Sequence, residues 1–199
     1  MDFEGFPKIA RLSRECIVTE KIDGTNAQVW IRPGVPGEFE TGRDTQIEVA
    51  GEVAYLRAGS RTRWISSADD NHGFAAWVYQ HAPELAQLGF GRHFGEWWGC
   101  GINRGYDMPE KRFSLFNTHR WSDPAARPAC CDVVPTLAIG MFDAIDVDTL
   151  MEVLSEYGSM ASPGFMNPEG IVIYHTAART MFKKTLEHDA EWKGKSPKG

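Results

Sequence analysis

Between Glu15 and Arg32 lie two strand-length runs, "ECIVTEKI" (15–22), with consecutive apolar residues 16–18, and "TNAQVWIR" (25–32), in which Ala27, Val29 and Ile31 recur every second residue. A period of two marks a strand with one face on a core. Asp23-Gly24 separates the runs, and this dipeptide favours tight two-residue turns, so the pair reads as a hairpin. The Gly- and Pro-containing stretch 33–42 reads as a loop, and "EVAYLRAG" (52–59) as a further strand. From Asp70 to Leu88 the period changes: Phe74, Trp77, Val78, His81 and Leu85 recur at helical spacing, and Pro83 divides the segment into two helices. "RHFGEWWG" and "KRFSLFNT" return to the strand pattern, while 122–136, with three prolines, reads as an irregular connection. A helix capped by Asp146 runs to Tyr157 and stops at Gly158. "EGIVIY" (169–174) and "RTMFKKT" (179–185) then form a closing antiparallel hairpin. Strands dominate and their connections are too short for parallel crossovers. The expected fold is therefore α+β, with antiparallel β-sheets and flanking helices.

Composition narrows the classes. The chain has 199 residues, 42% of them hydrophobic and seven tryptophan, enough for a packed core in one domain. No apolar run approaches the roughly 18 residues of a membrane span, and the start lacks the basic-then-apolar order of a secretory signal, so no membrane partner and a cytoplasmic location are expected. Cys16, Cys100, Cys130 and Cys131 contain no CxxC pair and read as reduced structural thiols. His93, His119 and His175 show no ligand spacing. A net charge of −6 offers nucleic acid no global attraction, so any such partner has to be held by a local basic surface. Trp97 and Trp98 invite base stacking, but successive strand residues alternate in direction, so core positions are the better reading.

Lys21, Asp23 and Gly24 form a KxDG sequence, a weak signal alone. It is followed in order by "SRT" (60–62), "FGEWWGCGI" (94–102), "FSLF" (113–116), "PEGIVIY" (168–174) and "MFKK" (181–184). The ordered set resembles the covalent nucleotidyltransferase superfamily of ATP-dependent ligases and capping enzymes, in particular the RNA ligase branch with the phage nick-sealing and kinetoplastid editing enzymes. The resemblance runs from about Thr19 to Thr185. It implies a minimal nucleotidyltransferase domain over 1–186, a polar tail over 187–199 and no separate C-terminal domain.

The resemblance also implies a reaction and its residues. Lys21 is the nucleophile that becomes lysyl-AMP, with ATP and Mg²⁺ or Mn²⁺ as cofactors. RNA or DNA ends bearing 5′-phosphate and 3′-hydroxyl are the partners, together with an accessory protein that supplies grip, in nucleic-acid repair. Only about one free lysine in a thousand is the neutral, attacking amine at neutral pH, and Asp23 beside it favours the ammonium. Lys183, Lys184 and the metal have to counter that charge. By the same resemblance Glu96 accepts the ribose hydroxyls, Arg61 reaches the sugar or acceptor, Phe116 stacks on the purine and Glu169 holds the metal. Glu20 and Ile22 offer backbone groups to adenine, and Asn26 a polar contact. The family usually ends in lysine, any residue, lysine, whereas this chain has Lys183, Lys184, Thr185. Pairing Ile171 with Lys183 sets Glu169 and Lys183 on one sheet face, and a slip of one residue separates them. A GTP-dependent capping guanylyltransferase and a non-catalytic nucleotide or RNA-end binding module are the alternatives.

Overall fold

The computed structural model describes residues 4–6 and 8–187. In chain order the elements are β1 (Glu15–Lys21), β2 (Thr25–Pro33), β3 (Asp44–Val49), β4 (Glu52–Ser60), α1 (Phe74–Gln80), α2 (Ala82–Leu85), β5 (Gly91–Gly99), β6 (Lys111–Leu115), α3 (Thr118–Trp121), β7 (Cys131–Val133), β8 (Thr136–Met141), α4 (Val147–Tyr157), β9 (Gly170–His175) and β10 (Thr180–Thr185). Two sheets organise them, with strand orders β10-β9-β1-β8 and β3-β4-β2-β5-β6-β7. All pairings are antiparallel except β6 with β7. The chain divides into two compact units along the same line, residues 22–135 forming one and the flanking segments 1–21 and 136–199 the other. No helix among the described residues is long and apolar enough to cross a membrane.

In the flanking-segment unit β1 is central, paired with β9 from Cys16↔His175 to Lys21↔Gly170 and with β8 on its other side. Cys16, Val18, Ile171 and Ile173 pack from this sheet with Met151 and Leu154 of α4, whereas Val153 and Tyr157 of the helix, which the helical spacing also marks as apolar positions, are exposed. Asp146 caps α4 by accepting from Thr149 N at 3.0 Å, and Gly158, at φ 80°, ends it.

The 22–135 unit buries Val29, Ile31, Leu56, Ala58, Trp97, Phe113 and Leu115 of its sheet under Phe74, Ala75 and Val78 of α1. The Asp70 carboxylate accepts from Ala75 N and Ala76 N at the start of α1. Pro83 stands in the first turn of α2, where its missing N–H costs nothing. Both Trp97 and Trp98 are buried, their indole N–H groups donating to His72 O and Ser114 Oγ. The four cysteines are free thiols, as expected.

Asp44 and Arg57 form the most deeply buried ion pair of this unit, bidentate at 2.8 and 2.9 Å, with Arg32 a further partner of Asp44 at 2.8 Å. Burial alone would raise the Asp44 carboxyl, but hydrogen bonds from Arg57 and the Glu40 amide, with the charges of Arg57 and Arg32, hold it below the ordinary carboxylate range. A depressed carboxyl stabilises the fold above its unfolded value near 3.9 and loses that contribution as pH falls through its folded value. Asp44→Ala leaves Arg57 with only the more exposed Glu40 and strips Arg32 of its carboxylate partner, and is expected to cost about 3 kcal/mol at neutral pH. Urea unfolding followed from pH 7 downward checks this: the deficit of the variant shrinks once the medium is acidic enough to protonate Asp44 in the parent.

The hairpin expected around Asp23-Gly24 does not form. β1 and β2 lie in different sheets, and Gly24 has no positive φ. Its lack of a side chain serves a close approach instead: a Cβ there would lie 2.5 Å from Trp97 O and 2.7 Å from Trp98 Cβ. β3 and β8 were not legible as strands, and the segment 122–136 contains β7, which lies parallel to β6.

Candidate active site

Lys21 closes β1, and its ammonium meets Glu169 Oε2 at 2.5 Å. Glu169 reaches it because Gly170, at φ 150°, breaks strand alternation at the start of β9; a Cβ at Gly170 would stand 2.2 Å from Lys184 O. One residue before the nucleophile candidate, Glu20 turns to the opposite face. Its carboxylate is buried (1% exposed) and accepts from Ser159 Oγ at 2.5 Å, Met160 N at 2.8 Å and Ala161 N at 2.9 Å. Burial pushes this carboxyl above the ordinary range, opposed by the three hydrogen bonds. The Glu20 side chain thus anchors segment 159–161 to the strand carrying Lys21, a role sequence reading missed. β8 pairing stops at Thr19↔Thr136, so only β9 pairs with the backbone of Glu20 and Lys21.

The closing hairpin corrects the expected register. Ile171 pairs with Lys184, and Val172 with Lys183. Because Val172 in turn opposes Thr19, Lys183 shares the sheet face of Thr19 and Lys21. Lys184 takes the other face, where it donates to Asp148 of α4 at 2.5 Å. Lys183 is exposed and makes no ion pair with any described residue.

The 22–135 unit carries the remaining candidates. Ile22 is buried. Asp23 is gripped on three sides: its N–H donates to Tyr106 Oη at 2.9 Å, and its carboxylate accepts from Asn103 Nδ2 at 2.9 Å and Arg104 Nε at 3.2 Å. Asn103 Nδ2 also donates to Gly24 O at 2.6 Å. Asn103, Tyr106 and Asp107 all have positive φ, so this gripping loop stores backbone strain. Glu96 accepts from Gly24 N at 3.1 Å and Asn26 Nδ2 at 2.8 Å, across the Asn26↔Glu96 pair of β2 and β5.

Next to them a pocket of about 210 Å³ is lined by Asn26, Ala27, Gln28, Ser60, Arg61, Phe94 and Phe116. Phe94 and Phe116 are 51% and 39% exposed, unusual for phenylalanine and suited to a flat apolar ligand. Arg61 makes no ion pair with any described residue, and Gln28 Oε1 is buried without a hydrogen-bond partner. Phe94 and Gln28 were not foreseen, although their period of two from Glu96 and Asn26 places them on the same face. His93 and His175 are buried and bonded to Gly89 O and Leu12 O, structural roles consistent with their lack of ligand spacing.

Among the described residues no group of three His, Cys, Asp or Glu side chains is placed to hold a metal ion. Glu169 stands as a single carboxylate beside an ammonium. That donor set suits a hard cation delivered with phosphate oxygens, as Mg²⁺ commonly is, rather than a resident ion.

The α+β fold, with its antiparallel sheets and few helices, is that of RNA ligase nucleotidyltransferases. The RNA ligase family model matches residues 14–185, and the chain belongs to that family. Among solved structures, a mutant Naegleria gruberi RNA ligase with ATP and Mn superposes with a TM-score of 0.61 at 15% identity, over 88% of this chain and 51% of that one. A second mutant of that ligase with ATP and Mn gives 0.58 at 15% identity, over 87% and 49%. The same ligase with PPi gives 0.55 at 15% identity, over 87% and 50%. The chain spans about half the length of these ligases. No curated protein matches.

Proposed function

We propose that the chain is an ATP-dependent polynucleotide ligase, acting on RNA, with residues 1–186 as its nucleotidyltransferase domain. The observation that carries this reading is the placement of Lys21 at the end of β1, against Glu169 and on the sheet face of Lys183. Family membership supports it, as do the ATP, Mn and PPi of the Naegleria ligase structures.

In the first step the Lys21 amine attacks the α-phosphorus of ATP; a phosphorus–nitrogen bond forms, the α–β phosphoanhydride bond breaks, and pyrophosphate departs. The Lys21 ammonium paired with Glu169 has no lone pair to give, so the pair opens and the ammonium passes its proton to solvent before attack. Lys183 neutralises charge spread over the phosphate oxygens. Phe116 and Phe94 sandwich or flank the purine, Arg61 and Asn26 contact the sugar, and Glu96 exchanges its Asn26 bond for a ribose hydroxyl. Ile22 and the Glu20 backbone border the adenine. A divalent cation held by Glu169 and the phosphates would supply electrophilic activation of the phosphorus and screening of the leaving group. AMP then passes to the 5′-phosphate of an RNA end, and a 3′-hydroxyl displaces AMP to close the phosphodiester.

The reading is tested by incubating the folded protein, first freed of AMP by excess pyrophosphate, with Mg²⁺ or Mn²⁺ and α-labelled ATP or GTP. Denaturing electrophoresis then follows. Acid-labile label from ATP alone is the expected result. Label from GTP alone assigns capping chemistry, and label from neither leaves a binding module.

A further inference from the structure

Beyond the pocket, the exposed face of the six-stranded sheet carries a ladder of indoles and guanidinium groups that nucleotide chemistry does not use. Trp30 of β2 stacks on Trp64, with ring centroids 5.1 Å apart and planes 19° from parallel. Arg92 of β5 lies 5.0 Å from the Trp30 centroid and 5.1 Å from that of Trp64. Arg32 adds a contact of 5.1 Å to Trp30, and Arg57 one of 5.7 Å to Trp64. Cross-strand pairing explains the assembly, since Trp30 opposes Arg57 on β4 and Arg92 on β5.

The ladder continues directly from the pocket. Gln28 and Phe94, which line the pocket, precede and follow Trp30 and Arg92 by two residues on the same strands, so each pair shares a face about 7 Å apart. Charge along this row is not balanced. Arg32 and Arg57 are matched by Asp44 and Glu40, whereas neither Arg92 nor Arg61 has an acidic partner among the described residues. Arg92 is exposed, and both tryptophans are only half-buried. A row of flat π-surfaces interleaved with unneutralised guanidinium groups is what a strand of unpaired bases and phosphates requires, because every base offers a π-face and every linkage a negative charge. It also answers the overall charge of −6, which demands a local positive surface if nucleic acid is bound at all.

We infer that Trp30, Trp64 and Arg92 form a platform for a single-stranded stretch of RNA leading away from the pocket. Bases stack on the ladder, and Arg92 takes a backbone phosphate. The inference rests on the ligase reading for the identity of the strand, and its test does not depend on ligase activity.

Fluorescence anisotropy with a short labelled single-stranded RNA, at low and moderate salt, measures binding by the full chain and by Arg92→Glu and Trp64→Ala variants. Each variant is expected to weaken binding about tenfold, the scale of one lost base stack or phosphate contact. RNA is expected to quench tryptophan emission of the parent, and heparin, which carries charge without bases, is not. Self-labelling by ATP should be unchanged in both variants. Equal RNA affinity of the parent and the folded Arg92→Glu variant overturns the platform, as does quenching by heparin equal to that by RNA. If ATP labelling fails in the parent while the variants lose RNA affinity, the platform stands and the ligase reading falls; the converse pattern separates them the other way.

Discussion

Replacing Lys21 with alanine abolishes transfer of label from α-labelled ATP to the protein, while the melting temperature stays close to that of the parent. The proposed chemistry leaves little room for substitution, because a lysyl-AMP intermediate needs a primary amine at this position. Other lysines cannot take over: Lys183 comes from a different strand, and Lys184 is committed to Asp148 on the opposite sheet face. Lys21→Arg keeps the charge and the Glu169 partner but holds its proton far more tightly, so it too remains unlabelled. The fold should tolerate either change, since the Lys21 side chain is partly exposed and its pair with Glu169 is not deeply buried. Residual labelling of Lys21→Ala above background would remove Lys21 from the reaction.

The second large effect is a contrast between neighbours. Lys183→Ala should slow adenylyl transfer by about 10²–10³-fold, the loss typical of one preorganised group facing developing charge. Lys184→Ala should cost less than about tenfold in rate. Lys184 lies on the α4 side of the sheet, where its exposed pair with Asp148 contributes at most about 1 kcal/mol to stability. Single-turnover labelling of the two variants at saturating ATP measures both. Equal losses, or a larger one for Lys184, would contradict the face assignment drawn from the register of β9 and β10.

That contrast could not have been drawn from the residues alone. The strand-length apolar runs in "EGIVIY" and "RTMFKKT" identified the hairpin, but such runs are silent on register, and the expected pairing was off by one residue. The same blindness produced the false hairpin at Asp23-Gly24. Both flanking strands are real, yet their partners lie elsewhere in the chain, and Gly24 is required by the packing of Trp97 and Trp98 rather than by a turn. β3, "DTQIEV", has four polar residues in six, and β8, "TLAIGM", is an edge strand with a glycine and little burial, so neither carried a clear pattern. What was legible rests on strong local chemistry: the Asp146 cap, the Gly158 stop, the Pro83 break and the strand-forming apolar and aromatic residues of β1, β2, β5 and β9.

The candidate residues divide in the same way. The ordered motifs singled out Glu20, Lys21, Ile22, Asp23, Gly24, Asn26, Arg61, Glu96, Phe116, Glu169, Lys183 and Lys184. The structure adds how they are held: Asn26, Arg61 and Phe116 at one pocket, Glu96 bonded to Asn26, and Lys21 against Glu169. The supports come from segments with no motif of their own. Asn103, Arg104 and Tyr106 fix Asp23 from about 80 residues away, and Ser159 to Ala161 fix Glu20 from about 140. Such contacts follow from the path of the chain, not from any local pattern.

The same path governs the order in which the protein can be completed during synthesis. Residues 22–135 are continuous and can fold as they emerge, but β1 finds its neighbours only in β8 and β9, more than a hundred residues later. Closing so long a loop is slow, and until Gly170 is available Lys21 sits at the unpaired end of β1. A chain arrested before β9 can hold a folded six-stranded sheet with its Phe94–Phe116 pocket while Lys21 still lacks both its backbone pairing and its Glu169 partner.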